Sequence, residues 1–165
     1  MAKARSIEGL SAEEPYASAA AKIVAVRARE VADHSHGVLD VTDIERVHDM
    51  RVATRRLRAA LEIFEPCFSA QELKGALREV KAIADALGER RDADVTIAAL
   101  EGFAEGLSAP DRPGVAGLVE QVRAEQAEAN TALEAFVRAQ RLAALSERLS
   151  ELVVEAEALG GPKPA

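Results

Sequence analysis

Apolar residues recur at helical spacing in several segments of this chain, and polar turns separate the segments. An Ala-rich segment follows the capping-box sequence SAEE at 11–14, and we expect it to be helical to about His34. A second capping box, TDIE at 42–45, opens a predicted helix that runs to about Glu65, where Pro66 stops it. Its apolar face is formed by Val47, Met50, Leu57, Leu61 and Phe64.

The middle of the chain continues the helical pattern. The capping box SAQE at 69–72 opens a third predicted helix, which we expect to end at Gly88 because glycine is common just past a helix C-terminus. The polar sequence ERRDAD is then predicted to form a turn. A further helix is expected over about 95–107, with Asp92 or Asp94 as its N-cap.

The last third of the chain is also predicted to be helical. After a loop, SAPDRPG at 108–114, helical spacing extends from Val115 to about Leu159, with a break expected near 138–142. The pattern as a whole predicts an all-α fold, an antiparallel helical bundle of about four to six helices. We expect a single domain over residues 13–159, with disordered tails at 1–12 and 160–165.

The composition favours helices and an intracellular location. Of the 165 residues 48% are hydrophobic but only 3% are aromatic, which leaves little material for strands. There is no 18-residue apolar span, and the start, MAKARSIEGL, lacks the apolar centre of a secretory signal. The single cysteine, Cys67, cannot form an internal disulfide. We therefore expect a cytoplasmic protein that does not bind membranes.

Charge is distributed unevenly along the chain. The net charge is −7, but residues 46–91 hold ten Lys and Arg against seven Asp and Glu, and the remainder carries −10. On the second predicted helix His48, Arg51, Arg55 and Arg58 share one face, which we call the first basic stripe. On the third, the second basic stripe consists of Lys74, Arg78 and Lys81, with Arg90 and Arg91 following it.

The two basic stripes indicate an anionic ligand. No carboxylate lies between Arg51 and Arg58. The like charges therefore repel one another along the helix, and no carboxylate in this segment offsets the repulsion. Arg56 points away from the stripe and is expected to be solvated. The guanidinium group donates paired hydrogen bonds to phosphate oxygens, and a stripe several turns long suits an extended polyanion. If the two helices are antiparallel neighbours, both stripes can line one groove.

Two separated motifs carry a family resemblance. The sequence VHDMRVATRRLRAALEIF, followed by LKGALREVKAIADALGERRDADV, resembles the CHAD family, the conserved histidine α-helical domain. The first motif has a histidine, arginines three and seven residues later and an RRLR cluster; the second is an L-G-x-x-R-D-x-D-V sequence. The matching residues are His48, Arg51, Arg55, Arg56, Leu57 and Arg58, then Leu87, Gly88, Arg91, Asp92, Asp94 and Val95.

The resemblance implies a helical module that binds inorganic polyphosphate without catalysis and can localise to polyphosphate granules. Its motifs add Arg91 to the first basic stripe as a polyphosphate contact. The residues of the second basic stripe are added because they flank the apolar face of the third predicted helix, and not because of the resemblance. Asp92 is expected to cap the following helix or to orient Arg91. The predicted polyphosphate-binding residues are His48, Arg51, Arg55, Arg58, Lys74, Arg78, Lys81 and Arg91.

The resemblance covers about residues 13–159 and corresponds to one half of the family's module. A complete module has a second basic helix in its latter half, and nothing after residue 100 matches that helix. Either the groove is one-sided, or two chains pair as a homodimer that completes the arrangement and covers an apolar face. Both remain open from the sequence.

The sequence also allows functions other than polyphosphate binding. The arginine run could instead be solvated, or could pair with carboxylates of a neighbouring helix in a structural interaction domain with a vestigial groove. A histidine phosphotransfer domain would use His48 and Arg51, but Val52 would crowd the imidazole. Specific nucleic-acid binding is disfavoured because stacking aromatic residues are absent near the stripes.

No catalytic site is predicted. The chain has no nucleophile–base pair and no glycine-rich phosphate loop, so we expect no enzyme activity and no cofactor. A metal site on His34 and His36 with Asp33 and Asp40 is a weak alternative, because the spacing is not diagnostic, and no metal site is predicted.

Overall fold

The computed structural model describes residues 3–160, and five α-helices without any strand make up most of that part of the chain. The all-α helical bundle is therefore confirmed. Of the tails predicted to be disordered, 1–12 and 160–165, residues 1–2 and 161–165 lie outside the described residues. The helices are α1 (Tyr16–His34), α2 (Ile44–Ile63), α3 (Ala70–Glu105), α4 (Arg112–Val137) and α5 (Ala139–Gly160), with a short 3₁₀ helix at Glu65–Cys67 between α2 and α3.

The longest helix, α3, is the spine of the molecule. Its 36 residues extend for about 54 Å at 1.5 Å per residue. Helices α4 and α5 run antiparallel to it, one after the other, and polar contacts mark the register. In order along α3 these contacts are Glu72 to Arg148 (3.3 Å), Glu79 to Arg141 (3.1 Å), Asp94 to Gln126 (2.6 Å) and Glu101 to Arg123 (2.8 Å).

Helices α1 and α2 form a hairpin that packs on the first half of α3 and on α5, so this end of the molecule is a four-helix bundle. The apolar face predicted for α2 points into its core. Buried side chains from all four helices meet there, among them Val24, Met50, Leu57, Leu61, Ile83, Leu87, Leu149 and Leu152.

The second half of α3 and α4 continue beyond the bundle as a two-helix arm. A smaller apolar cluster of Ala93, Ile97, Val119 and Val122 joins the two helices. None of the helices within residues 3–160 is both long enough and apolar enough to cross a membrane.

One predicted boundary is wrong, because α3 does not end at Gly88. The helix continues through ERRDAD, and neither Asp92 nor Asp94 caps a new helix. The polar turn expected from the sequence is helical because two of its polar residues, Arg90 and Asp94, are buried against α4. Packing along α4 and α5 outweighs the roughly 1 kcal/mol by which glycine disfavours a helix interior.

Other boundaries agree closely with the sequence. The predicted break near 138–142 falls at Arg138, where the backbone leaves the helical region with ψ of 138°. Ser69 is the N-cap residue of α3, but its amide and hydroxyl bond to Glu155 of α5 instead of capping the helix. In a turn just before α1 the Ser11 amide donates to the Glu14 carboxylate, as in a capping box, but the Ser11 hydroxyl accepts from the Glu13 amide and not from that of Glu14.

Candidate functional site

The first basic stripe lies on α2, on the side that faces away from the core. His48 and Arg51 are half-buried, whereas Arg55 and Arg58 are exposed. A shallow cavity of about 580 Å³ follows the helix here, and three members of the stripe line it. All lining residues come from α2: His48, Val52, Arg55, Arg56, Arg58, Ala59 and Glu62.

The second basic stripe is exposed along the first half of α3. Lys74, Arg78 and Lys81 all point to solvent, and α3 packs directly against α2 in the bundle. These three side chains do not line the cavity on α2. That both stripes act together in one groove therefore remains a prediction.

Five predicted contacts have no anionic partner within residues 3–160. Neither a hydrogen bond nor an ion pair engages the side chains of Arg51, Arg55, Lys74, Arg78 and Lys81 there. By contrast, the arginines of α4 and α5 that face α3 are paired with its glutamates. The interpretation of the stripes as internal ion pairs thus finds no support at these five positions.

Two other predicted contacts are engaged. Arg58 forms an ion pair of 2.8 Å with Glu62 one turn later, and both side chains are about half exposed. Arg91 donates a hydrogen bond of 3.2 Å to the carbonyl oxygen of Ile44 and lies 3.7 Å from a carboxylate oxygen of Glu45. Arg91 is therefore held at the first turn of α2, near the start of the first basic stripe.

Arg56 does not occupy the solvated position that its place on the helix suggested. It is half-buried, and its charge acts on Glu30 of α1. Burial of Glu30 would raise the pKa of its carboxyl group. Three interactions outweigh that effect and lower this pKa: the hydrogen bond from the Arg5 amide, the hydrogen bond and charge of Arg27, and the charge of Arg56.

A buried polar network, which sequence reasoning missed, joins α3 to α4. Arg90 and Asp94 are almost fully buried and form an ion pair of 3.0 Å. Gln126 donates to Asp94 at 2.6 Å, and Arg90 donates to the side-chain oxygen of Asn130 at 3.3 Å. Burial raises the pKa of Asp94, although Gln126 and Arg90 act in the opposite direction. Burial of these two residues was not evident because both belong to a run of charged residues.

The histidine-rich turn does not assemble the metal site considered from the sequence. Asp33 pairs with Arg5 at 2.5 Å, and Asp40 accepts hydrogen bonds from Thr42. The one group within residues 3–160 whose ligand atoms converge is Glu45, His48 and Asp49, at the start of α2. Sequence reasoning considered His48 as a phosphate contact or as the histidine of a phosphotransfer domain and did not connect it with Glu45 and Asp49, although the spacing i, i+3, i+4 indicates a shared helix face.

Comparison with known proteins identifies the family. The family model described as the CHAD domain matches residues 22–165, which is most of the chain. No curated protein gives a match. The matched region contains both basic stripes, Arg91 and the buried network around Arg90. The chain belongs to the CHAD domain family.

Proposed function

We propose that this protein is a non-catalytic module that binds inorganic polyphosphate through the two basic stripes and Arg91. The observation that carries the proposal is the set of unpaired cations on two adjacent helices: Arg51, Arg55, Lys74, Arg78 and Lys81. Their concentration in an acidic protein of net charge −7 has no evident structural purpose. Membership of the CHAD family, which is associated with polyphosphate binding, supports the same ligand.

Capture would be electrostatic and would involve several phosphates at once. The first basic stripe runs from His48 to Arg58. These ten steps along α2 rise about 15 Å at 1.5 Å per residue, so successive phosphates can meet successive cations. Arg51 and Arg55 can each donate two hydrogen bonds to one phosphate group. Affinity should therefore rise with chain length and fall with salt, as counterion release requires for other polyanions.

The engaged arginines have different roles in this mechanism. The ion pair of Arg58 with Glu62 is half exposed, and such pairs contribute only about 0–1 kcal/mol. Arg58 can thus exchange Glu62 for a phosphate at little cost. Arg91 is anchored to the backbone of Ile44 and would present its remaining N–H groups to the ligand from a fixed position.

The rest of the surface would confine the ligand to the stripes. Outside residues 46–91 the chain carries −10, which repels a polyanion from the arm and from α5. Pairing of two chains would extend the site, and retention on polyphosphate granules would follow from the binding itself. Both statements are part of the proposal.

Calorimetric titration with long-chain polyphosphate, in buffer containing EDTA, tests the proposal. The wild type should bind it, and bind double-stranded DNA of equal charge more weakly. The variant Arg51→Ala/Arg55→Ala/Arg58→Ala should bind polyphosphate more than about tenfold more weakly, because a hydrogen bond to a charged group contributes roughly 1.5–3 kcal/mol. Absence of binding by the wild type, or equal affinity for DNA, would contradict the proposal.

A further inference from the structure

The face of α3 that carries the second basic stripe changes the sign of its charge along the helix. Asp85 follows Lys74 by eleven residues, and Asp92 follows it by eighteen. At 3.6 residues per turn these separations are close to three and to five full turns, so both carboxylates share the face of Lys74 and Lys81. All four side chains are exposed. The face is therefore basic up to Lys81 and acidic from Asp85.

The two carboxylates take no part in the ion pairs that join the helices. Within residues 3–160 neither a hydrogen bond nor an ion pair engages the side chain of Asp85 or Asp92. Lys81 lies one turn before Asp85 but does not pair with it. By contrast, three other carboxylates of α3 pair with arginines of α4 or α5: Glu72, Glu79 and Glu101. The negative charge at Asp85 and Asp92 thus lies unneutralised beside the second basic stripe.

Beyond the second basic stripe, this face of α3 offers nothing to hold a phosphate chain. Residues 82–105, all of which the structure describes, add no further cation to the face. After Asp92 it continues with Val95, Ala99 and Phe103. Val95 is 49% exposed and Phe103 is 62% exposed, so the arm presents apolar side chains to solvent here. A polyanion that followed α3 into the arm would pass two carboxylates and then lose every favourable contact on this face.

Helix α2 still offers predicted contacts at the level where the second basic stripe ends. The two helices are antiparallel, because Arg91 bonds to Ile44 at the start of α2 and a short connection joins the opposite ends. Asp85 lies six residues before Arg91, and Arg51 lies seven residues after Ile44, so Asp85 and Arg51 are at about the same level. Toward the start of α2, His48 and Arg91 are the remaining predicted contacts.

We propose that Asp85 and Asp92 are specificity-determining residues that end the polyphosphate site on α3. Because a carboxylate repels a phosphate group, the pair excludes the ligand from the arm. The phosphate chain is directed from the second basic stripe across to the first basic stripe and Arg91, and does not follow α3. This inference rests on the proposed function, since it describes the boundary of that site.

Calorimetric titration with long-chain polyphosphate, in EDTA buffer of low ionic strength, tests the boundary. It gives the affinity and the number of phosphate units that each protein chain covers at saturation. The variant Asp85→Asn/Asp92→Asn preserves the size of both side chains. It should bind at least about threefold more tightly than the wild type, the scale of interactions between exposed charges. It should also cover more phosphate units, because the ligand can then extend onto the arm.

Two further variants make the test specific to position. The control Glu147→Gln/Glu151→Gln removes the same charge from exposed positions on α5 and should change the affinity by less than about twofold. Asp85→Lys/Asp92→Lys extends the second basic stripe and should bind more tightly than the asparagine variant. A folding defect would weaken binding, so it cannot produce the expected gain of affinity.

The outcomes separate this inference from the proposed function. If the wild type binds polyphosphate but the asparagine variant binds no more tightly than the control, the boundary is wrong and the proposed function stands. The same conclusion follows if the asparagine variant covers no more phosphate units than the wild type. If the wild type does not bind polyphosphate, the proposed function itself fails and the boundary fails with it.

Discussion

At the scale of single residues, the buried pair of Arg90 and Asp94 is the most consequential polar contact. Both side chains are almost fully removed from solvent, and their network joins α3 to α4 where the arm leaves the bundle. One carboxylate oxygen of Asp94 and two guanidinium nitrogens of Arg90 lack a hydrogen bond. A buried pair of this kind costs free energy to desolvate, but losing one partner costs more, because the other charge remains buried.

Replacing Asp94 with alanine should therefore destabilise the protein severely. We expect the free energy of unfolding to fall by about 3–5 kcal/mol, the range for breaking a buried ion pair. Urea denaturation followed by circular dichroism measures it. Asp92→Ala, an exposed position two residues earlier, is the matched control and should change stability by no more than about 0.5 kcal/mol.

If Asp94→Ala does not fold, a double variant keeps the prediction testable. Arg90→Met/Asp94→Leu removes both charges and should be more stable than either single variant, as apolar replacements of buried pairs can be. An Asp94→Ala protein as stable as Asp92→Ala would show that Asp94 is not part of a buried network.

Helical spacing determines which residues share a face of a helix but not which residues of other helices they contact. The stripe of His48, Arg51, Arg55 and Arg58 could be found from the sequence because 100° per residue fixes their direction on any helix. The contact of Arg91 with Glu45 could not, because it joins residues on two helices whose relative position depends on packing. For the same reason, the half-buried position of Arg56 beside α1 was not foreseen.

At the scale of elements, the continuity of α3 determines the shape of the molecule. A break at Gly88 would separate the bundle from the arm, whereas an unbroken helix holds both in one register against α4 and α5. The sequence predicted most helix ends, since proline and capping residues mark them. It failed at Gly88 because glycine and a polar run are equally compatible with a turn and with a helix stabilised by tertiary packing.

The variant Gly88→Ala distinguishes a continuous α3 from a helix that ends at Gly88. The backbone at Gly88 does not have a positive φ, and a methyl group there would meet no atom within 4 Å. Alanine should therefore stabilise the protein by up to about 1 kcal/mol, the difference in helix propensity. The urea midpoint measures the change. A destabilised variant would contradict the continuous helix, because alanine is strained in the left-handed conformation of a helix-ending glycine.

At the scale of the whole molecule, the proposed function depends on where charge is placed and not on the total charge. The chain is acidic overall, so its mean field would repel polyphosphate, and binding of that ligand would have to come from local cations. The sequence was sufficient to locate this asymmetry, because counting charges along the chain needs no structure. It could not show whether the cations are paired internally, which depends on contacts between helices.

The central claim is that unpaired cations of both α2 and α3 bind polyphosphate, and three charge-matched variants test it most directly. Arg51→Gln/Arg55→Gln alters the first basic stripe, and Lys74→Gln/Lys81→Gln alters the second. The control Arg29→Gln/Arg138→Gln removes the same charge from exposed residues of α1 and the α4–α5 junction.

Calorimetric affinity for long-chain polyphosphate at one salt concentration is the single quantity to compare. Each stripe variant should bind polyphosphate at least about tenfold more weakly than the wild type, since each loses two charge-assisted contacts. The control should change by less than about twofold, as expected for a long-range effect screened by salt. Equal weakening in all three variants would contradict the account, because binding would then follow net charge and not the two stripes.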